Sequence, residues 1–142
     1  MPETRLRSRL LQEAGEALKN AYAPYSGYRV GAALITRKGR VFTGCNVENA
    51  SYGLTICAER AAVCAAVAAE GPKMRIRALA VVSDPEVPGA PCGACRQVIL
   101  EFGPEAAVIF QGRDGLLEKP LAELLPLGFQ LPAAKGGKNE LP

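Results

Sequence analysis

The sequence predicts an α/β protein, a three-layer α/β/α sandwich around a mixed central sheet of about five strands. Three observations carry this expectation. Leu6, Leu10, Ala14, Ala17, Leu18 and Ala21 recur at helical spacing, so an amphipathic helix opens the chain. Strand-like and helix-like segments then follow in the order hairpin, helix, strand, helix, strand, which gives a mixed sheet with helices on both faces. Arg75 to Ser83, finally, reads as a continuous apolar strand, the pattern of a sheet centre covered on both sides.

Taken in order, Glu3 to Ala21 is the first helix, and Ala23, Pro24, Tyr25, Ser26, Gly27 break it. Tyr28 to Thr36 is the first strand, Lys38 and Gly39 turn the chain, and Arg40 to Val47 returns as its hairpin partner. Asn46 and Glu48 sit at the end of that second strand, where side chains project beyond the sheet, and residues 49–56 form a loop. Ala58 to Glu70 is almost unbroken Ala, Val and Cys after Glu59 and Arg60; a helix apolar on every side is expected to be buried on every side, against the sheet, another helix or another subunit. Gly71 and Pro72 end it. After the strand at 75–83 come a Pro-rich loop to Pro91, a helix running through Val98 to Phe102, a strand at Ala106 to Gln111 and a short helix at Leu121 to Leu125.

The chain has 142 residues, 49% hydrophobic and 22% charged, as expected of one domain, placed at 1–131, with a flexible Gly, Lys and Pro rich tail at 132–142. No apolar run approaches the roughly 20 residues that span a bilayer, and Met1 to Leu11 lacks the apolar block of a signal peptide, so a cytoplasmic location is expected. Five cysteines in a reducing compartment point to ligands, nucleophiles or packing rather than a disulfide framework. Histidine is absent, which excludes every mechanism built on an imidazole base and leaves acid–base work to carboxylates, Lys, Tyr or Cys. The net charge of +3 lies mainly at the two ends and forms no basic stripe with interleaved aromatics, so no nucleic-acid partner is expected.

Chemistry concentrates in Cys57, Ala58, Glu59, Arg60 and in Pro91, Cys92, Gly93, Ala94, Cys95, Arg96. Three thiolates fill three corners of a tetrahedral zinc site, and a catalytic zinc keeps the fourth corner open for a water whose pKa falls to about 7. A cysteine pair spaced like Cys92 and Cys95 is shared by redox dithiols and structural zinc loops, but here both segments open helices, where backbone N–H groups favour thiolates. Glu59 stands two residues from Cys57, and positions two apart diverge on a helix. Both face one site only if Cys57 precedes the regular turns, at a cap. The carboxylate then serves as the base beside the water. Arg60 and Arg96 are positioned to offset the excess negative charge by donating to thiolate sulfurs, while Cys45 and Cys64, lacking a ligand pair nearby, are assigned to packing.

At these residues the chain resembles the cytidine deaminases of the small, homotetrameric type with three cysteine ligands. The likeness runs through Phe129 and includes AYAPYSGYRVGAAL at 21–34, GCNVENASYG at 44–53, CAERAA at 57–62, PCGACRQV at 91–98 and ELLPLGF at 123–129. The resemblance implies one zinc per subunit on Cys57, Cys92 and Cys95, with Glu59 as proton shuttle. It implies that Asn46 and Glu48 grip the ribose, mainly at its 3′-hydroxyl, that Tyr28 stands where the family more often stacks Phe near the base, and that Ala58 contacts substrate. Tyr52 and Phe129 match positions that complete a neighbouring subunit's cavity. The implied activity is zinc-dependent hydrolysis of free cytidine and 2′-deoxycytidine to the uridine nucleosides and ammonia, in pyrimidine salvage. Glu48 supports free nucleosides independently, since a 3′-phosphodiester would remove a donor and bring a negative charge close to a carboxylate. Two alternatives compete: a deaminase of a related free aminopyrimidine, and a non-catalytic structural zinc or dithiol protein.

Overall fold

In the computed structural model, which describes residues 3–132, the N-terminal apolar stripe forms α1 (Thr4–Leu18), with Leu10, Ala14 and Leu18 buried. The helix stops three residues short of the expected Ala21, and the amides of Asn20 and Ala21 close the last turn on Ala17 and Leu18 carbonyls. The hairpin follows as β1 (Arg29–Thr36) and β2 (Val41–Cys45), then a short 3₁₀ turn (Tyr52–Leu54) and α2 (Ala58–Glu70). Next come β3 (Ile76–Asp84), α3 (Gly93–Phe102), β4 (Ala107–Gly112), β5 (Gly115–Pro120) and α4 (Leu121–Leu124). The five strands lie in the order β2-β1-β3-β4-β5; β3 and β4 pair in parallel and the other neighbours antiparallel, so the sheet is mixed, as expected.

The strand period of two sorts the core into two layers. Along β1, Ala32 and Leu34 join Ala62, Val63, Ile99 and Leu121 beneath α2, α3 and α4, whereas Ala33 and Ile35 join Leu10 and Ala14 beneath α1. Two glycines let the helices press this close. A Cβ at Gly31 would lie 2.0 Å from the Ala14 carbonyl oxygen of α1, and one at Gly44 2.5 Å from Ala58 and Ala62 backbone atoms of α2. The sheet is thus clamped from both faces at the hairpin that carries the functional loop.

Three expectations need correction. Residues 115–120 were not anticipated as a strand; Leu116 and Leu117 break the alternation, and β5 is held by pairing with β4 from Ala107↔Pro120 to Gly112↔Gly115. α2 is not buried on every side within this chain. It covers the sheet with Ala58, Glu59, Ala62, Val63 and Ala66, and leaves Cys64, Ala65, Ala68 and Ala69 exposed. Cys64 therefore does not pack in the core of its own chain, and Cys45 is half-buried. The tail expected at 132–142 lies, apart from Pro132, outside the described residues. No helix among the described residues is long and apolar enough to cross a membrane.

Candidate active site

Three loops are laced together at the end of β2. The Tyr22 amide donates to the Asn46 carbonyl (3.0 Å) and the Glu48 amide to the Tyr22 carbonyl (2.8 Å). Val47 and Ile56 exchange two backbone bonds of 3.0 Å each. This lattice brings Asn46 and Glu48 beside the start of α2. There Cys57 is the N-cap in an extended conformation (φ −74°, ψ 152°), which meets the condition for Cys57 and Glu59 to serve one site. Cys92 caps α3 in the same way (φ −61°, ψ 165°), and Cys95 sits in that helix's first turn.

The Sγ atoms of Cys57, Cys92 and Cys95 all lie within 4.8 Å of one another, with Cys57 and Cys92 3.9 Å apart. Thiolates at tetrahedral corners around zinc, each about 2.3 Å from it, stand about 3.8 Å from each other. The electrostatics also call for a cation. Hydrogen bonding from Cys95 and the Arg60 guanidinium push the Cys57 thiol down to about 5, while that same contact, burial and the neighbouring Glu59 push Cys95 up. Without a metal only part of the trio can ionise; a dication removes the conflict. Among the described residues this is the one three-ligand group, and its donor set and spacing suit a zinc ion.

Glu59, 5% exposed, follows Ala58 into the first turn of α2, and burial pushes its carboxyl up from the usual range. Arg60 donates from NH2 to the Cys57 Sγ and to the Thr55 carbonyl, both at 3.4 Å, as expected of a charge-balancing partner. Arg96 differs from expectation. Its Nε donates to the Pro91 carbonyl (2.6 Å) and its NH1 to the Leu124 carbonyl (2.9 Å), so it ties the cysteine loop to α4 instead of bonding sulfur.

A cavity of about 330 Å³ joins two of the three cysteines, Cys57 and Cys92, to the loop residues, with Tyr28, Val30, Asn46, Glu48, Thr55, Ala58 and Glu59 also on its walls, while Cys95 lies buried. Asn46, 7% exposed, is fixed at both ends: its Oδ1 accepts from the Val30 amide and its Nδ2 donates to the Tyr28 carbonyl, each at 2.8 Å. Glu48 Oε1 accepts from the amides of Tyr25 (2.9 Å) and Ser26 (3.1 Å), and Oε2 accepts from the Ser26 hydroxyl. These donors, the Ser26 hydroxyl above all, hold the carboxyl below its ordinary range.

Residues 4–111 match the family described as "Cytidine and deoxycytidylate deaminase zinc-binding region". The chain belongs to this family. Its relatives include the cytidine deaminase of Halalkalibacterium halodurans, 46% identical over 87% of this chain and 93% of that one. The cytidine deaminase of Mycobacterium tuberculosis is 47% identical over 83% of this chain and 85% of that one. Among solved structures, the Mycobacterium tuberculosis cytidine deaminase superposes with a TM-score of 0.78 at 45% identity, covering 88% of this chain and 98% of that chain. That of Burkholderia pseudomallei also gives 0.78, at 47% identity over 86% and 98%. The protein is accordingly a cytidine deaminase by family and by fold, and a zinc enzyme.

Within this cytidine deaminase fold, two expected residues stand apart from the main cavity. Tyr52, 77% exposed, meets Tyr25 edge-on with centroids 6.1 Å apart and lines an adjoining hollow of about 300 Å³ with Ser26, Glu48 and Thr55. Phe129, 67% exposed, is held by its backbone, whose carbonyl accepts from Gln97 Nε2 at 2.6 Å. Sequence reasoning missed Ser26, Thr55 and Gln97. Ser26 had a visible signal, its place in the Pro24 to Gly27 turn just before a cavity-lining strand.

Proposed function

We propose that the protein hydrolyses free cytidine and 2′-deoxycytidine to uridine and 2′-deoxyuridine, releasing ammonia, as a pyrimidine salvage enzyme of the cytoplasm. The observation that carries this reading is one cavity lined by Cys57, Cys92 and buried Glu59 as well as by the fixed pair Asn46 and Glu48, with the Cys95 thiol within 4.8 Å of the other two sulfurs. Zinc on Cys57, Cys92 and Cys95 supplies a Lewis acid and a water acidic enough to ionise near neutral pH. Glu59 accepts the proton of the attacking water and delivers it to ring N3 as C4 becomes tetrahedral. The same carboxyl then takes the proton of the hydroxyl now on C4 and passes it to the amine, which leaves as ammonia while C4 becomes the carbonyl. Ala58 and Tyr28 bound the slot for the base, and Tyr28 offers an aromatic face.

Counting hydrogen-bonding capacity supports the sugar assignment. After its two internal bonds Asn46 has one N–H left to donate. Glu48 has four acceptor sites, two taken on Oε1 and one on Oε2, so one remains. The free Asn46 N–H and the free Glu48 acceptor, on the walls of one cavity, can serve a single hydroxyl as donor and acceptor, which suits the 3′-hydroxyl. A 5′-phosphate finds no Lys or Arg among the described residues lining either cavity. The enzyme is expected to convert cytidine and 2′-deoxycytidine with kcat/KM within about tenfold of each other, and the 5′-monophosphates at least about a hundredfold less well. Initial rates followed by ultraviolet absorbance test this, and a preference for the monophosphate would overturn it.

We also propose a homotetramer with shared active sites. The exposed small-residue face of α2 and the outward Tyr52 and Phe129 support a reading in which neighbouring copies cover what one chain leaves open. Light scattering is expected to give four times the chain mass, and a monomer at micromolar concentration would contradict it.

A further inference from the structure

Among the described residues Ser26 both contacts the carboxylate assigned to the sugar and anchors Tyr28, the residue that leads into β1. Its Oγ accepts the Tyr28 amide at 3.0 Å, an arrangement that ties the serine to the backbone two residues on. With that bond made, the hydroxyl proton points elsewhere, and it is donated to Glu48 Oε2. The Ser26 amide adds a further bond to Oε1, 3.1 Å long, beside the Tyr25 amide at 2.9 Å. Three donors from two adjacent residues therefore converge on one carboxylate across 22 or 23 positions of sequence.

We propose that Ser26 is a positioning residue: its hydroxyl orients Glu48 and occupies one site on Oε2, so that Glu48 reads one sugar hydroxyl. This rests on the ribose reading of Glu48 given above. The two backbone amides anchor Oε1 alone; without the hydroxyl donor the carboxylate plane turns about that anchor and Oε2 presents both its acceptor sites to water. With it, the carboxylate plane is set before substrate arrives, and ordering is not charged against binding. Ser26 does not touch the reacting atoms, so its effect belongs to KM and to sugar discrimination.

The test compares wild type, Ser26→Ala, Ser26→Thr and Ser26→Cys on cytidine and on 3′-deoxycytidine. Ser26→Ala is expected to raise KM for cytidine about tenfold, the order expected for losing a hydrogen bond to a charged group, with kcat changed less than about twofold. KM for 3′-deoxycytidine, which lacks the hydroxyl that Glu48 reads, is expected to stay where it is in wild type. Ser26→Thr keeps the hydroxyl and restores cytidine KM; Ser26→Cys, a weak donor of similar size, gives the alanine pattern and stands in where alanine does not fold. An unchanged cytidine KM in both the alanine and cysteine variants overturns the proposal. So does an equal rise for both substrates, which marks Ser26 as a turn residue only. If wild type itself fails to distinguish cytidine from 3′-deoxycytidine, the ribose reading of Glu48 is what fails, and the proposal goes with it.

Discussion

Glu59→Gln is expected to lower kcat by about three to four orders of magnitude while zinc content stays at one per chain. The substitution is nearly isosteric at a site that is 5% exposed, so the volume filled on the buried face of α2 is kept. What disappears is proton capacity. An amide cannot accept a proton from water, deliver it to N3 or return one to the amine, and positioned general acid–base groups contribute about 10²–10⁴-fold. Here one carboxyl serves more than one transfer, which places the loss toward the upper end. Burial raises its proton affinity and so narrows the gap between holding and releasing a proton near neutral pH. Metal analysis and ultraviolet-monitored turnover on the same preparation separate a lost shuttle from a lost metal. Turnover within tenfold of wild type would assign the proton transfers elsewhere.

Where the sequence and the folded chain agree, local rules and tertiary context point the same way. The spacing of Leu10, Ala14 and Leu18 is decided by one helix face, and the hairpin is decided by Lys38 and Gly39 with Gly39 at φ 84°. The metal trio was legible for a similar reason. A cysteine at a helix N-cap is a local arrangement, and Cys57 and Cys92 repeat it. The misses come from contacts that adjacency does not report. Arg96 follows Cys95 directly, yet successive helical residues diverge by about 100°, and its guanidinium meets the Pro91 and Leu124 carbonyls. β5 depends on pairing with β4, and Arg113-Asp114 between Gly112 and Gly115 was its quiet turn signal. Ser26 was legible as a turn and not as a ligand holder, because its partner Glu48 lies 22 residues away. Cys64 shows a further limit: an all-apolar helix announces that its faces are to be covered without saying that its own chain covers only one.

Removing one zinc ligand is expected to cost stability as well as activity, because the metal ties together elements that share few other contacts. Cys57 heads α2 and Cys95 lies in the first turn of α3, and the Sγ atoms of the trio meet within 4.8 Å. A ligand that binds only the folded state stabilises it by about 4 kcal/mol when present at a thousand times its dissociation constant. For a chain of this size that corresponds to a rise in Tm of about 10 °C. Cys95→Ala is therefore expected to retain less than about a tenth of a zinc per chain after dialysis, to show no measurable turnover, and to melt about 10 °C below wild type. Wild type stripped with a chelator should melt at the same temperature as the variant, since both lack the same linkage term. Restoring zinc should recover only the wild type. Cys64→Ala, whose thiol faces away from the site on the open side of α2, is the matched control and should keep its zinc and its turnover. If Cys95→Ala kept stoichiometric zinc, or if chelation left the wild-type melt unmoved, the trio would not be the metal site. The fold would then owe its α2–α3 contact to Val63, Ile99 and Leu100 packing alone.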